Sequence, residues 1–193
     1  MDTFQIIAWI IWICLAFYGL GYYIKETLSG NTTPHVFSWI IWFLLTVIAF
    51  FIQLQDGWGI WAWVMWITAI ISGFIVILSL KWWQKNITKN DTILFIWAMI
   101  ALMFWLVLDN PLISIILVTL IDALGFIPTL RKTYHKPWEE TLHLYTSSGI
   151  KHALSMFAMA NYSIITLIYP FSLVIMNLIV VIFVIVRKKQ LRK

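Results

Sequence analysis

The chain has 193 residues, of which 62% are hydrophobic and 11% charged, and its apolar runs repeatedly approach the roughly 20 residues that cross a hydrocarbon core. Such runs take up nearly the whole length, which leaves no room for a soluble catalytic or nucleic-acid-binding domain. The net charge of +5 therefore reflects orientation in a bilayer.

Seven helical spans are predicted at roughly 4–24, 36–53, 58–80, 92–108, 112–130, 141–160 and 163–186. Helices are expected because a lipid-embedded backbone must satisfy its own hydrogen bonds, and the runs lack the alternation of barrel strands. The first span is preceded by Met1-Asp2-Thr3, without a basic n-region, and reads as retained. Cys14 within it is the only cysteine, so no intrachain disulfide forms. Thr33-Pro34 and Asn110-Pro111 mark the starts of spans two and five. Span six is expected to start as early as Pro137, with Glu139 and Glu140 in its first turn.

Twelve of the thirteen Lys and Arg residues fall in four polar segments: Lys25; Lys81, Lys85 and Lys89; Arg131, Lys132 and Lys136; and the tail from Arg187 to Lys193. With seven crossings all four lie on the C-terminal side, opposite Asp2, Asp56 and Asp109. The positive-inside rule then places the C-terminus in the cytoplasm and the N-terminus outside. Trp58 and Trp61 at one boundary, and Trp82, Trp83 and Trp138 at the other, are expected to anchor in the interfaces.

A shift of 106 residues superimposes spans one to three on spans five to seven and leaves span four unpaired. It matches Gly19 with Gly125, Lys25 with Arg131 and Thr27 with Thr133. The expected fold is an all-α membrane protein of seven transmembrane helices. Two parallel three-helix bundles, 1–90 and 111–193, are joined by a linker helix at 91–110. Parallel repeats of this kind hold solute between the halves near the midplane.

In this layout the chain resembles the SWEET and PQ-loop superfamily of seven-helix membrane transporters. Pro128-Thr129 stands where such proteins carry a Pro-Gln pair, and Tyr22-Tyr23 occupies the equivalent place in the first half. Tyr169-Pro170-Phe171-Ser172 followed by Asn177 looks like the last helix of the SWEET sugar facilitators. The resemblance implies Asn177 as a binding residue, with Thr68 and Ser72 its polar candidates in the first half.

The residues of span six point to the same region. Ser148, Lys151, His152 and Ser155 recur at helical spacing on one face, and Trp42, Leu45 and Thr46 form the matching stripe of span two. Lys151 and Asp122 both lie near mid-span, where a charge costs about 2.5 to 3.5 kcal/mol to insert. Two readings follow: a structural ion pair, or a binding or proton-coupling cluster that includes His152. The expected solute site comprises Trp42, Thr46, Trp66, Ser148, His152, Ser155 and Asn177, with Asp122 and Lys151 setting charge preference and Tyr22 and Pro128 at a gate. The four histidines lack metal-ligand spacing, and no catalytic residues, metal or cofactor are expected.

The sequence thus predicts a transporter for a small polar solute, such as a sugar, amino acid or vitamin-like metabolite, working by alternating access. The alternative is a ligand-binding receptor on the same fold. A retinal protein is disfavoured, because the embedded lysine lies in span six. Expected partners are the solute and the lipid bilayer, with no nucleic acid, and the sequence is compatible with a homo-oligomer.

Overall fold

The structure is a computed structural model that describes residues 3–55, 60–81, 87–108, 110–157 and 162–192. Its helices are α1 (Thr3–Leu28), α2 (Val36–Gln55), α3 (Ile60–Leu80), α4 (Lys89–Val107), α5 (Pro111–His135), α6 (Leu142–Phe157) and α7 (Ile164–Leu191), with a 3-10 turn at Pro137–Glu139. There is no strand among the described residues. Five helices, α1, α3, α4, α5 and α7, are long and apolar enough to cross a membrane, and α2 contributes a shorter apolar stretch, Val36–Phe51. At 1.5 Å per residue the 26 residues of α1 rise about 39 Å, more than a hydrocarbon core of about 30 Å requires. The chain is an all-α integral membrane protein. Asp2, Asp56, Trp58, Trp82, Trp83, Lys85, Asp109, Lys193 and the side chain of Trp61 lie outside the described residues.

Local chemistry sets several helix ends. Thr88 and Asp91 form a reciprocal capping box at the start of α4, and Ser163 and Thr166 do the same for α7. The Asn110 side chain accepts from the amides of Leu112 and Ile113, and Pro111 occupies a first-turn position where no amide hydrogen is needed. Beyond α1, Gly30 adopts φ of 78°, a left-handed conformation that glycine takes without steric penalty. Pro128 lies inside α5, and its missing N–H leaves the Leu124 carbonyl without its usual helical donor.

α1, α5 and α7 run four or five residues past the predicted ends of spans one, five and seven, and one predicted start changes. Span six does not begin as a helix at Pro137: the 3-10 turn ends at Glu139, Glu140 is extended with φ −133° and ψ 137°, and α6 starts at Leu142. The cause is an ionic one, described below, which draws Glu140 out of any helical first turn.

Within the bundle, α3 packs on α2 and α1, and α7 packs on α5 and α6. Two further crossings tie these groups together, α1 with α6 and α2 with α5, and α4 rests mainly on α5. The crossings are tight at two glycines. A Cβ on Gly19 would collide with Ser147 Oγ, and one on Gly125 would lie 3.1 Å from Trp42 Nε1 and 3.3 Å from Ile41 Cγ2.

Burial follows the same positions in both halves. Ala16, Gly19, Leu20, Tyr23 and Thr27 are buried in α1, as are Asp122, Gly125, Phe126, Thr129 and Thr133 at the corresponding places of α5. Ser38, Trp39 and Ile41 of α2 match Leu144, Tyr145 and Ser147 of α6. For α3 and α7 the matching offset is one residue shorter: Thr68, Ser72, Ile75 and Ser79 correspond to Leu173, Asn177, Val180 and Val184.

The largest core cluster draws Leu20, Tyr23, Trp39, Ile75, Phe126, Leu144, Tyr145, Leu173, Val180 and Val184 from six helices. A second seats α4 on α2 and α5 through Ala98, Leu102, Ile41, Leu45 and Ile121. Large apolar side chains such as Ile77, Met103, Phe104 and Val107 point outwards, as a lipid-facing surface requires.

Filling the glycine crossings tests this packing. Gly19→Leu and Gly125→Leu should each lower thermal stability in detergent by the equivalent of about 1–3 kcal/mol, the usual cost of overpacking. Gly21→Ala should be neutral or slightly stabilising, because nothing lies within 4 Å of a Cβ there. Equal melting temperatures for all three variants would show that the crossings are not tight.

Candidate binding site

Asp122 of α5 is buried, at 4% exposure. The Trp42 indole nitrogen of α2 lies against Gly125, one turn along α5 from Asp122. Trp42 is in turn held edge-on to Trp39 at 5.3 Å and to Phe126 at 5.0 Å between ring centroids. Across from Asp122, the Lys151 ammonium of α6 sits 4.8 Å from the centre of the Trp12 ring of α1, a cation–π contact. Asp122 and Lys151 lie within range of each other's field. No direct ion pair joins them among the described residues. His152 also feels the charge of Lys151, and Tyr169 of α7 feels that of Asp122.

The predicted site residues are only partly brought together. Asp122 and Lys151 share a field, His152 lies in that of Lys151, and Trp42 faces α5 one turn from Asp122. Thr46 and Ser155 spend their hydroxyls on their own helices, donating to Trp42 O at 2.6 Å and His152 O at 2.7 Å. Ser148 is half-buried on the same face of α6. Asn177 is buried where α7 meets Gly149, and its amide donates to Leu173 O at 2.8 Å. Its counterpart by burial is Ser72. Trp66 stacks on Phe50 at 4.9 Å, two helical turns or about 12 Å along α2 from Trp42, and does not join the group. Tyr22 lies on the α1–α6 seam, with its ring 3.8 Å from that of His143; Tyr18 Oη and His143 Nδ1 are hydrogen-bonded at 2.8 Å. Pro128 is buried in α5 on the far side of Gly125 from Asp122.

Below Trp42, towards the end of the bundle that carries the basic segments, lies an aromatic floor. Trp39 donates its indole N–H to Tyr23 Oη at 3.2 Å, and their rings are 4.9 Å apart. Thr129 Oγ1 and Ser38 Oγ join α5 to α2 at 3.0 Å, both buried.

Beneath the floor is an ionic network that sequence reasoning did not anticipate. Lys132, 2% exposed, makes an ion pair with Glu140 Oε2 at 2.5 Å and donates to the carbonyls of Thr33 and, at 3.2 Å, Glu139. Thr33 also donates through its amide to Glu139 O at 3.1 Å and through Oγ1 to Glu139 Oε2 at 2.6 Å. Tyr23 and Tyr145 both lie in the field of Glu140. Next in sequence, Arg131 grips Asp91 with two nitrogens, at 2.6 and 2.9 Å, and His35 Nε2 lies 3.6 Å from the same carboxylate. The only signal for Asp91 in the sequence is Thr88, three residues earlier, the spacing of a capping box. At the margin, Arg187 covers the Tyr134 ring at 3.9 Å and donates to Tyr134 O at 3.0 Å. These contacts gather the start of α2, the start of α4 and the ends of α5 and α7 at one end of the bundle.

Removing one partner of a buried ion pair leaves the other charge uncompensated, at a cost of about 3–5 kcal/mol, whereas replacing both can be nearly neutral. Lys132→Met and Glu140→Met should therefore each destabilise the solubilised protein strongly, and the double variant less than either alone. Additive losses in thermal unfolding would contradict a coupled pair.

No protein-family model matches the chain, and neither a curated protein nor a solved structure matches it.

Proposed function

We propose that the chain is a carrier for a small polar solute, working by alternating access between two parallel three-helix bundles. Residues 1–90 form the first bundle, 91–110 the linker helix and 111–193 the second, in the manner of a divergent member of the SWEET and PQ-loop superfamily. The observation that carries this reading is the pair of close crossings. Gly19 against Ser147 and Gly125 against Ile41 are related to each other by the same shift of 106 residues. Two unrelated halves have no reason to repeat a contact in that way, whereas a pseudo-two-fold axis between α1–α3 and α5–α7 requires it.

The distribution of packing supports a direction for the cycle. The Tyr23–Trp39–Trp42–Phe126 aromatic floor and the Lys132–Glu140 network close the basic end. On the other side of the floor, α6 from Ser148 to Met156 is half-buried at all but one position. The arrangement fits a state shut at the basic end, with the candidate site approached from the opposite side. The basic end faces the cytoplasm under the positive-inside rule, so the N-terminus is outside. Tyr22 and Pro128, at equivalent places in α1 and α5, flank the floor and are the proposed hinges.

Two experiments test this. In proteoliposomes, a panel of labelled solutes should include at least one with saturable uptake, and Asp122→Asn with Lys151→Met should reduce that uptake about tenfold or more; saturable binding without flux would instead favour a receptor. A C-terminal green fluorescent protein fusion expressed in bacteria should fluoresce and a C-terminal alkaline phosphatase fusion should be inactive; the reverse pattern would invert the proposed orientation.

A further inference from the structure

We infer that the end of α7 binds the headgroup of an anionic phospholipid, with an acyl chain lying along the adjoining face of the same helix.

At the C-terminal end of α7 an open recess of about 450 Å³ is lined by Ile185, Lys188, Lys189 and Arg192. Its wall is therefore one apolar side chain and three cationic ones. α7 contains no acidic residue, and among the described residues none of the three cations is in an ion pair. Lys188 is steadied by the Glu140 carbonyl, to which it donates at 3.4 Å, but a carbonyl does not neutralise it. Arg187 is engaged elsewhere, over the Tyr134 ring at 3.9 Å and bonded to Tyr134 O and Gln190. Three like charges thus share one recess without a counter-charge, and an anion seated there relieves their mutual repulsion. A phosphate suits the set, because the planar Arg192 guanidinium can take two of its oxygens and each lysine offers a point charge.

The helix face leading to the recess identifies the bearer of that phosphate. Ile175, Leu178, Ile182 and Ile185 are exposed and follow one another at spacings of three and four, and Lys189 and Arg192 continue the same stripe. From Ile175 to Ile185 the helix rises about 15 Å, half of a hydrocarbon core of about 30 Å and so the depth of one leaflet. The stripe is apolar over the depth of one set of acyl chains and cationic where headgroups begin. A soluble anion would fill the recess and leave this face unused, whereas a phospholipid uses both. Offsetting the helix dipole or fixing topology needs basic residues but neither a recess nor a continuous stripe. The site lies about 16 Å along α7 from Asn177, apart from the solute region, and does not depend on a solute being carried.

The test uses the full chain in detergent, with native mass spectrometry against dioleoyl phosphatidylglycerol and dioleoyl phosphatidylcholine. At about fivefold for each basic residue, three give at most roughly a hundredfold preference for the anionic lipid. The first phosphatidylglycerol should bind about tenfold or more tightly than phosphatidylcholine, a comparison that needs no variant. Lys189→Gln with Arg192→Gln should cut that preference to about twofold or less. Lys25→Gln with Lys89→Gln, the same charge change at exposed positions of α1 and α4, should leave it intact. Equal binding of the two lipids overturns the inference and leaves the basic residues as a topology anchor alone. Equal loss in the two double variants, or no loss in either, with gel-filtration profiles unchanged, removes the site from the recess. Glycerol phosphate should not bind at the same concentrations; binding as tight as that of the phospholipid overturns the lipid assignment in favour of a soluble anion.

Discussion

The lysine at 132 sets the constraint on which the rest of the bundle is arranged. Its ammonium is buried, and the Thr33 carbonyl, the Glu139 carbonyl and the Glu140 carboxylate supply the three acceptors it needs. To supply them, the segment before α2 must fold inward, which is why 32–39 is buried without a break. The segment before α6 must stay out of helix long enough to turn Glu140 back onto α5. The neighbouring Arg131 clamps the start of α4 through Asp91. Two consecutive residues therefore fix three separate connections. Buried pairs of this type contribute little net stability, because desolvation offsets the attraction. What they supply here is a defined arrangement at one end of the bundle.

Above that end the structure passes from ionic to aromatic to sparsely charged. The floor of Tyr23, Trp39, Trp42 and Phe126 separates the network from Asp122, so the two charged groups of the molecule occupy different compartments. Trp42 borders both: its ring packs into the floor, and its indole nitrogen lies against Gly125, one turn from Asp122. A movement that opened the floor would therefore shift a side chain one turn from Asp122, and occupation of the site would bear on the floor. That mechanical link is what a carrier needs if solute and gate are to answer each other.

Much of the fold was legible because bilayer physics writes itself into composition. Long apolar runs, clustered basic residues and capping residues such as Asn110-Pro111 announce the helices with little ambiguity. Gly19 and Gly125 stood out as an identical pair, and the structure gives them a physical role at two crossings. The candidate site was legible where a charge stands in an apolar run, as at Asp122 and Lys151. Other parts depend on rotation about a helix axis, which spacing alone does not fix. Tyr22 and Tyr23 look alike in the sequence, yet Tyr23 enters the core and Tyr22 lies on the seam with His143. Trp66 shares a bundle with Trp42 but stacks two turns away. The basic-end network was illegible for a different reason. Lys132 and Glu140, in a segment where charges are normally solvated, gave no hint of burial, and Asp91 stands one residue before the predicted start of span four. The one-residue change of offset that aligns Ser72 with Asn177 is likewise visible only in burial.

The central claim, that the basic end is a gate between two bundles, is most directly tested by double electron–electron resonance on the full chain in nanodiscs. Spin labels on Leu28 and His135, exposed at the ends of α1 and α5, would report the separation of the bundles at that end. A closed, narrow distance distribution should dominate, and Lys132→Met should shift population to a second, longer distance. A single distribution that this substitution leaves unmoved would show that the end is a fixed scaffold, and would contradict the account.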